Sequence, residues 1–268
     1  MSLAKLIMRN QSNFRKQTIR TAIMLAFLIT CLQSSGQKRP MNLPTYDYAK
    51  YHFGFVLAIN QMNFTVKIND NMSLMTLDSL RSPDFFADSV RILGINASPT
   101  LGFTIGIISN LRLGKYFDLR FIPSLSFGER RLNYTFLRYK DDNTNIVEFE
   151  KNITSTYVEF PLHIKYKSKR LNNVRAYVLA GGKYVIDLAS TKSDKEEEKN
   201  NTLVKLNRND VLAEVGVGFD FYNAWFKFGT EIKMSYGLTG LLKRENNIYT
   251  DGIDKLSSKI FQISFTFE

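Results

Sequence analysis

The sequence predicts an all-β fold, a closed eight-stranded antiparallel transmembrane β-barrel with short periplasmic turns and long extracellular loops. Three observations predict it. Apolar and polar residues alternate over eight segments, each about as long as a membrane strand. The connections between the segments are alternately short and long. The polar face of nearly every segment carries charges and glycines, which the core of a soluble sheet would not hide without partners.

The alternation is clearest in "YVEFPLHIKYK" (157–167), where Val158 and Phe160 begin an apolar face and Glu159 and His163 lie on the opposite face. A membrane β-strand needs about 9–11 residues, and each segment meets this length. The eight segments are residues 52–62, 100–113, 116–130, 157–167, 175–189, 210–222, 225–238 and 259–268.

The connections predict the two ends of the barrel. Three are short, and the other four are long: 63–99, 131–154, 190–209 and 239–258. Residues 131–139 still alternate, so part of that connection could extend a strand. The charged stretch 193–201 is expected to be a solvated loop tip. Short turns at one end and long loops at the other are typical of outer-membrane barrels.

The two faces of the segments have a physical explanation in lipid. A sheet there must close on itself to satisfy its backbone groups, and its outer face must be apolar. The lumen of an eight-stranded barrel is just filled by side chains, so interior acids and bases should be near one another and can pair. The predicted interior polar cluster, a structural one, comprises Asp118, Arg120, Glu159, His163, Lys165, Lys183, Asp187, Glu214, Asp220, Lys227, Glu231 and Lys233.

Other classes fit less well. A lipocalin-like barrel would be polar outside and apolar inside, and a β-sandwich would hide charges on nearly every inner face. The net charge of +11 includes five cations before residue 37 with no acid among them. The remaining lysines and arginines are scattered, so no nucleic-acid-binding stripe is predicted.

The N-terminus resembles an export signal. A basic region precedes the apolar core 21–32, which is too short to span a bilayer as a helix. We therefore expect a signal peptide at 1–37, a periplasmic N-terminal lead-in at 38–51 and an outer-membrane barrel at 52–268, with both chain termini periplasmic. The one cysteine, Cys31, lies at the end of the apolar core in a poor lipoprotein box.

The sequence offers little for catalysis or for metal or cofactor binding. His52 and His163 are the two histidines, so a multi-histidine metal site is excluded. Glu159 and His163 share a strand face about 13 Å apart, at ~3.3 Å per residue, too far for an acid–base pair. We predict no catalytic, cofactor-binding or metal-binding residues and no small-molecule substrate, although some eight-stranded outer-membrane barrels are lipid-modifying enzymes.

The lead-in carries a family resemblance. "NLP" (42–44), Tyr46–Asp47 and "YHFGF" (51–55) resemble the start of the PorT family of Bacteroidetes. The segments 158–168, 176–184, 214–222 and 231–242 resemble the wider outer-membrane β-barrel group that contains this family.

The resemblance implies a non-enzymatic component of the type IX protein secretion system, which supports gliding motility in some species. Its expected partners are outer-membrane lipid and other type IX components. A Pro- and Tyr-rich, extended lead-in suits protein binding, or it could be only a flexible leader. The alternative function is a small porin-like or lipid-modifying barrel acting alone. The candidate partner-binding residues are Asn42, Leu43, Pro44, Tyr46, Asp47, Tyr48 and Tyr51.

Overall fold

Ten β-strands make up most of the part of the chain that the structure describes. This computed structural model describes residues 40–70, 76–78, 89–140, 143–189, 204–244 and 248–268, so the expected signal peptide and loop tip 193–201 lie outside it. The strands are β1 (Tyr51–Ile68), β2 (Thr76–Asp78), β3 (Ser89–Arg112), β4 (Phe117–Phe121), β5 (Ser124–Lys140), β6 (Asn143–Lys167), β7 (Val174–Asp187), β8 (Asn209–Tyr222), β9 (Lys227–Gly237) and β10 (Ile253–Phe267).

Helical structure is minor in the residues that the structure describes. A 3-10 turn (Tyr46–Tyr48) precedes β1, and a four-residue helix α1 (Ile248–Asp251) precedes β10. In the ranges given above, no helix is both long and apolar enough to cross a membrane.

The strands pair in a closed antiparallel ring. β1 pairs with β10 on one side and with β3 on the other, and each remaining neighbour in the ring is also antiparallel. β4 and β5 share one position between β3 and β6, so the ring has eight positions. The small strand β2 pairs only with the outer part of β3. The predicted eight-stranded fold is confirmed.

The break between β4 and β5 falls at Pro123, which has no backbone N–H to donate. The ladder continues around the break, because the N–H of Ile107 donates to the carbonyl of Pro123 at 3.0 Å. The N–H of Ile122 likewise donates to the carbonyl of Pro161 at 3.2 Å. The third predicted segment is therefore one strand position carried by two shorter strands.

An apolar band covers the outer face. On β1 the outward residues run from Tyr51 to Ile59 and then become polar from Gln61 onward. On β6 the outward residues from Val158 to Tyr166 are apolar, and polar ones precede them. Nine residues of tilted strand match the thickness of a bilayer core. Exposed aromatic and aliphatic side chains on this band match the lipid-facing surface that the alternation predicts.

The expectation of four long loops needs correction. β5 and β6 continue as a hairpin through most of 131–154, and β1, β3 and β10 also extend beyond the apolar band. Alternation continues in these stretches with a polar outer face, so their membrane-length segments end before the strands do. The described residues of two of the four connections, 63–99 and 131–154, are thus largely strand.

The extended strands enclose an apolar core at the long-loop end. Its buried residues come from the four strands β1, β3, β5 and β10, from α1 and from the segments around 204 and 241, and they include the fully buried Tyr134, Phe136 and Tyr249. The Tyr134 hydroxyl donates to the carbonyl of Tyr249 at 3.1 Å. A packed core of this kind holds the strand extensions together without help from lipid.

Two adjacent glycines on β7 allow a test of how closely the inner face is packed. A Cβ added at Gly181, which faces inward, would overlap the carbonyl oxygen of Leu162 on β6, whereas one at Gly182, which faces outward, would lie 3.9 Å from the nearest carbonyl. We expect Gly181→Ala to lower the free energy of unfolding by about 1–3 kcal/mol, as overpacking does. Gly182→Ala should unfold like the wild type in a urea titration of the refolded barrel. Equal stability of the two variants would contradict this packing.

Candidate functional site

The lumen holds the charged side chains that the sequence assigns to the inner face. All twelve members of the predicted interior cluster are buried, with relative exposures of 4% or less. They come from β4, β6, β7, β8 and β9, and they point inward because they share the parity of the inner face on each strand. The lumen therefore contains a lattice of acids and bases.

Several ion pairs of this lattice meet at Glu214 on β8. Its carboxylate lies 2.9 Å from Lys183 Nζ and 3.6 Å from Lys233 Nζ. The Ser235 hydroxyl donates to it at 2.5 Å, and His163 Nε2 lies 3.0 Å away. Three cationic or potentially cationic side chains from three other strands thus converge on one carboxylate.

Arg120 on β4 is the junction of the middle of the lattice. Its guanidinium binds Glu231 through Nη1 and the carboxylate of Glu268 through Nη2 at 3.1 Å. The Tyr177 hydroxyl donates to Glu231 at 2.7 Å. The ring of Tyr177 also lies 3.4 Å from the ammonium nitrogen of Lys165, a cation–π contact.

Further pairs extend the lattice toward both ends of the lumen. Toward the short turns, Lys165 binds Asp220 at 2.9 Å, and Lys167 binds Asp118 at 2.6 Å. Toward the long-loop end, the guanidinium of Arg130 lies 3.9 Å from the carboxylate of Asp187 and 4.2 Å from the ring centroid of Phe64. Charge is therefore compensated at each level of the lumen, as a buried lattice requires.

The segment Met41–Lys50, which we call the N-terminal cap, lies against the short-turn end of the barrel. Asp47 in its 3-10 turn forms a two-pronged ion pair with Arg175, with both oxygen–nitrogen distances 2.9 Å. Arg170 lies 3.5 Å from the same carboxylate, and the Tyr222 hydroxyl donates to it at 3.3 Å. A bidentate guanidinium–carboxylate pair fixes orientation as well as position.

Two further residues attach the cap to the barrel. Asn42 donates two hydrogen bonds: its backbone N–H donates to Asn173 Oδ1 and its side-chain amide donates to the carbonyl of Tyr222, both at 2.9 Å. Tyr46 stacks on His52 with ring centroids 3.9 Å apart, and its hydroxyl donates to Glu268 at 3.2 Å. The cap therefore reaches the same carboxylate that Arg120 binds in the lumen.

These contacts divide the seven candidate partner-binding residues. Asn42, Tyr46 and Asp47 are bound to the barrel of their own chain, and Leu43 gives its carbonyl to Arg170 at 3.4 Å. Pro44, Tyr48 and Tyr51 are exposed, with Tyr48 80% accessible. The cap is thus a docked part of the barrel with an outward aromatic side.

Sequence reasoning omitted several lattice residues from its cluster. Arg130, Arg175 and Glu268 are end residues of three predicted segments and have the inner-face parity, so applying the alternation up to the segment ends would have found them. Arg170 lies in the β6–β7 turn, where no periodicity operates. Nothing in the sequence pairs Asp47 with Arg175, since 128 positions separate them.

The lattice offers no arrangement that is typical of a catalytic or metal site. No group of three or more His, Cys, Asp or Glu side chains is placed to hold a metal ion in the portion of the chain that the structure covers. His163 is fully buried, and its Nε2 lies 3.0 Å from Glu214. Its surroundings are those of an interior structural histidine.

The junction at Glu214 gives a stability prediction. Glu214→Gln removes the negative charge that Lys183 and Lys233 share, and we expect the free energy of unfolding to fall by about 3–5 kcal/mol. The matched control is Glu150→Gln, because Glu150 pairs with Arg131 at 3.5 Å on the exposed hairpin, where each side chain is more than 40% accessible. That change should cost less than about 1 kcal/mol. Urea titration of the refolded barrels measures both, and similar losses would argue against a buried lattice.

The pairing of Asp47 gives a pH prediction. Burial opposes ionisation of Asp47, but the hydrogen bonds and charge of Arg175, with the charges of Arg170 and Lys167, outweigh it and lower the pKa of the carboxyl. A lowered folded pKa stabilises the docked cap above the unfolded value of about 3.9, and this stabilisation is lost as the pH falls through the folded pKa. The cap should therefore stay docked from neutral pH to about pH 4 and loosen in stronger acid.

A spin label measures docking of the cap directly. Residues 38–268 contain no cysteine, so Thr45→Cys gives one labelling site on the cap. The label should be restrained at pH 7 and mobile in strong acid, whereas in an Asp47→Asn background it should be mobile at both. Asp254→Asn, at the far end of β10, is the control and should keep the label restrained at pH 7. Equal restraint with Asp47→Asn at pH 7 would contradict the role of this ion pair.

Solved outer-membrane proteins resemble this chain at low sequence identity. The outer membrane protein OprG from Pseudomonas aeruginosa is 12% identical, with 82% of this chain and 96% of that chain covered and a TM-score of 0.39. Neisserial surface protein A is also 12% identical, with 81% and 98% covered and a TM-score of 0.37. The outer membrane protein AlkL, solved in lipid bilayers, is 12% identical, with 88% and 96% covered and a TM-score of 0.31.

Comparison with curated proteins gives no match. The family model described as "Outer membrane protein beta-barrel domain" matches residues 36–243, which is more than half of the chain. The matched region spans the cap and the strands β1 to β9, whose ring and apolar band are described above. The chain therefore belongs to the family of outer membrane protein beta-barrel domains.

Proposed function

We propose that this protein is a non-enzymatic component of the type IX secretion system, needed for export of cargo proteins, and that it acts by binding partner proteins. The observation that carries the proposal is the cap. The stretch that resembles the PorT family is a docked structural element, because Asn42 and Asp47 bind barrel residues in the β6–β7 turn, on β7 and on β8. A sequence motif that is held in one conformation and displays aromatic residues outward suits recognition by another protein.

The filled lumen supports a binding role over a pore. Arg120, Lys183 and Glu214 are at most 1% exposed and are bound to neighbours across the lumen. Solute passage along this axis would break several buried ion pairs together, each costly to separate in a low-dielectric interior. A porin-like barrel acting alone, the alternative, requires a continuous water path through these levels.

The outward side of the cap is the surface that we assign to the partner. Tyr48 is 80% exposed and Tyr51 is 56% exposed, and both flank the docked residues Asp47 and His52. Rigid aromatic side chains bury a large area at a small entropic cost, so they often dominate protein interfaces. We place this end of the barrel, with its short turns and both ends of the mature chain, in the periplasm.

Tyr48→Ser tests this role separately from folding. Because the Tyr48 side chain makes no hydrogen bond to any residue in the described ranges, we expect insertion and urea stability to be unchanged, while partner binding weakens about tenfold or more. Export of cargo with the type IX C-terminal signal, measured by immunoblotting of the culture medium, should fall. Ile146→Ser, which changes a 65% exposed side chain on the β5–β6 hairpin, is the control and should leave export normal.

The two possible failures of this experiment are distinguishable. Normal export with Tyr48→Ser would contradict partner binding through the cap. Normal export after complete deletion of the gene would contradict the secretion role itself, and a measured single-channel conductance of the purified barrel would then favour the porin-like alternative.

A further inference from the structure

A basic cavity opens beside the N-terminal cap at the short-turn end. Its volume is about 390 Å³, and it lies between the β3–β4 turn, the β6–β7 turn and the cap. Among the side chains that line it are one carboxylate, that of Asp47, and two tyrosines, Tyr48 and Tyr116. The cationic lining residues are Arg112, Lys115, Lys167, Lys169, Arg170 and Arg175.

Three of the six cations are already compensated. Asp47 is bound by Arg175 and lies 3.5 Å from Arg170, and Lys167 binds Asp118 at 2.6 Å. Arg170 also donates to the carbonyls of Asn42 and Leu43. The cations on the inner wall of the cavity are therefore paired with Asp47 and Asp118, the two carboxylates near it.

The other three cations form the outer wall. Arg112 donates through Nε to the carbonyl of Gly114 at 3.2 Å, which leaves the rest of its guanidinium for other acceptors. Lys115 lies 5.4 Å from the ring centroid of Tyr116, and Lys169 is exposed on the β6–β7 turn. Within the described ranges none of these three side chains is ion-paired with a carboxylate. The cavity thus carries an uncompensated positive charge and several unused donors.

The cavity lies at the edge of the apolar band. Tyr116 on its rim is 6.4 Å from Tyr166, centroid to centroid, and Tyr166 in turn packs 5.1 Å from Phe117. Tyr166 and Phe117 are outward residues at the end of the band, where tyrosine typically marks the interface between hydrocarbon and headgroups. An anion-binding cavity at this depth faces the layer that contains the phosphates of membrane lipids.

We propose that this cavity binds the phosphate of a membrane phospholipid, with Arg112, Lys115 and Lys169 as its ligands. A guanidinium binds two phosphate oxygens at once, and two ammonium groups add compact positive charges. The volume suits a headgroup, and the neighbouring apolar band accepts the acyl chains. A free phosphate has the same charge but gains nothing from Tyr116 and the apolar band.

Native mass spectrometry of the full barrel in a phosphate-free maltoside detergent tests the proposal. The probe is dioleoylphosphatidylglycerol, compared with dioleoylglycerol, which lacks the phosphate, and with inorganic phosphate. The wild type should retain one phospholipid and neither of the other two. The test variant is Lys115→Gln with Lys169→Gln, two exposed residues whose loss leaves the buried lattice intact. It should bind phospholipid at least about tenfold more weakly, which corresponds to ~1.4 kcal/mol, since two charge-assisted contacts to the phosphate are lost.

The control removes two positive charges at the opposite end of the barrel. Lys243→Gln with Lys255→Gln should bind phospholipid as the wild type does, because both side chains are exposed beyond the apolar band. Equal binding by the test variant and the control would overturn the site. Equal affinity for inorganic phosphate would show that the cavity binds a free anion, and would contradict the proposal that its ligand is a phospholipid. Displacement of the phospholipid by a lower concentration of hexaglutamate would overturn it in favour of an acidic protein segment.

Discussion

The rest of the structure depends on the closure of the ring, in which β1 hydrogen-bonds to both β3 and β10. Lipid offers no partner to an unpaired strand edge, so a sheet can be stable there only when it has no edge. Eight strand positions then fix a lumen that side chains fill. Whatever faces inward has to be compatible with being buried, and many of the inward residues of this chain, above all on β6 to β9, are charged.

The lattice around Glu214 and Arg120 is compatible with burial because its carboxylates form ion pairs with its lysines and arginines. Such pairs are not a strong source of stability compared with an apolar core, since both members lose their hydration. Their effect on specificity is larger. A slip of one residue in the register of β8 would turn Glu214 toward lipid and Val215 toward the lumen, at a cost of several kcal/mol for the charge alone. The charged lumen therefore defines which face of every strand is the inner one.

Much of this architecture could be predicted from the sequence, because alternation at period two reports directly on the two environments of a strand. It located all eight ring positions and placed residues such as Lys183 and Glu231 in the lumen. It failed where the environment changes along a strand. Past Ile59 on β1 the outer face becomes polar while the inner face stays apolar, so the lipid-facing pattern ends although hydrogen bonding continues to Ile68. Loop expectations for 63–99 and 131–154 were wrong for this reason.

The cap was beyond prediction for a different reason. Its docking depends on contacts of Asp47 with Arg170 and Arg175. The β6–β7 turn and the start of β7 place these two arginines next to each other. No local periodicity encodes such a meeting, and short polar segments before a strand usually have no fixed structure. Pro44, Tyr48 and Tyr51, which favour a protein-binding lead-in, lie on its outer side, whereas Tyr46 contacts the barrel, which the sequence alone does not predict.

The two ends of the barrel consequently differ in what stabilises them. At the long-loop end, Tyr134, Phe136 and Tyr249 form an apolar core that needs no charge pairing. At the short-turn end, ion pairs between side chains hold the cap on the barrel. Its Tyr46 hydroxyl donates to Glu268, which also binds Arg120 in the middle of the lumen. A partner that withdrew the cap would leave Arg170 and Arg175 without their carboxylate and would open the lumen lattice to water from that side. Binding to the outward face of Tyr48 avoids this cost, so the structure favours partners that add to the docked cap over partners that displace it.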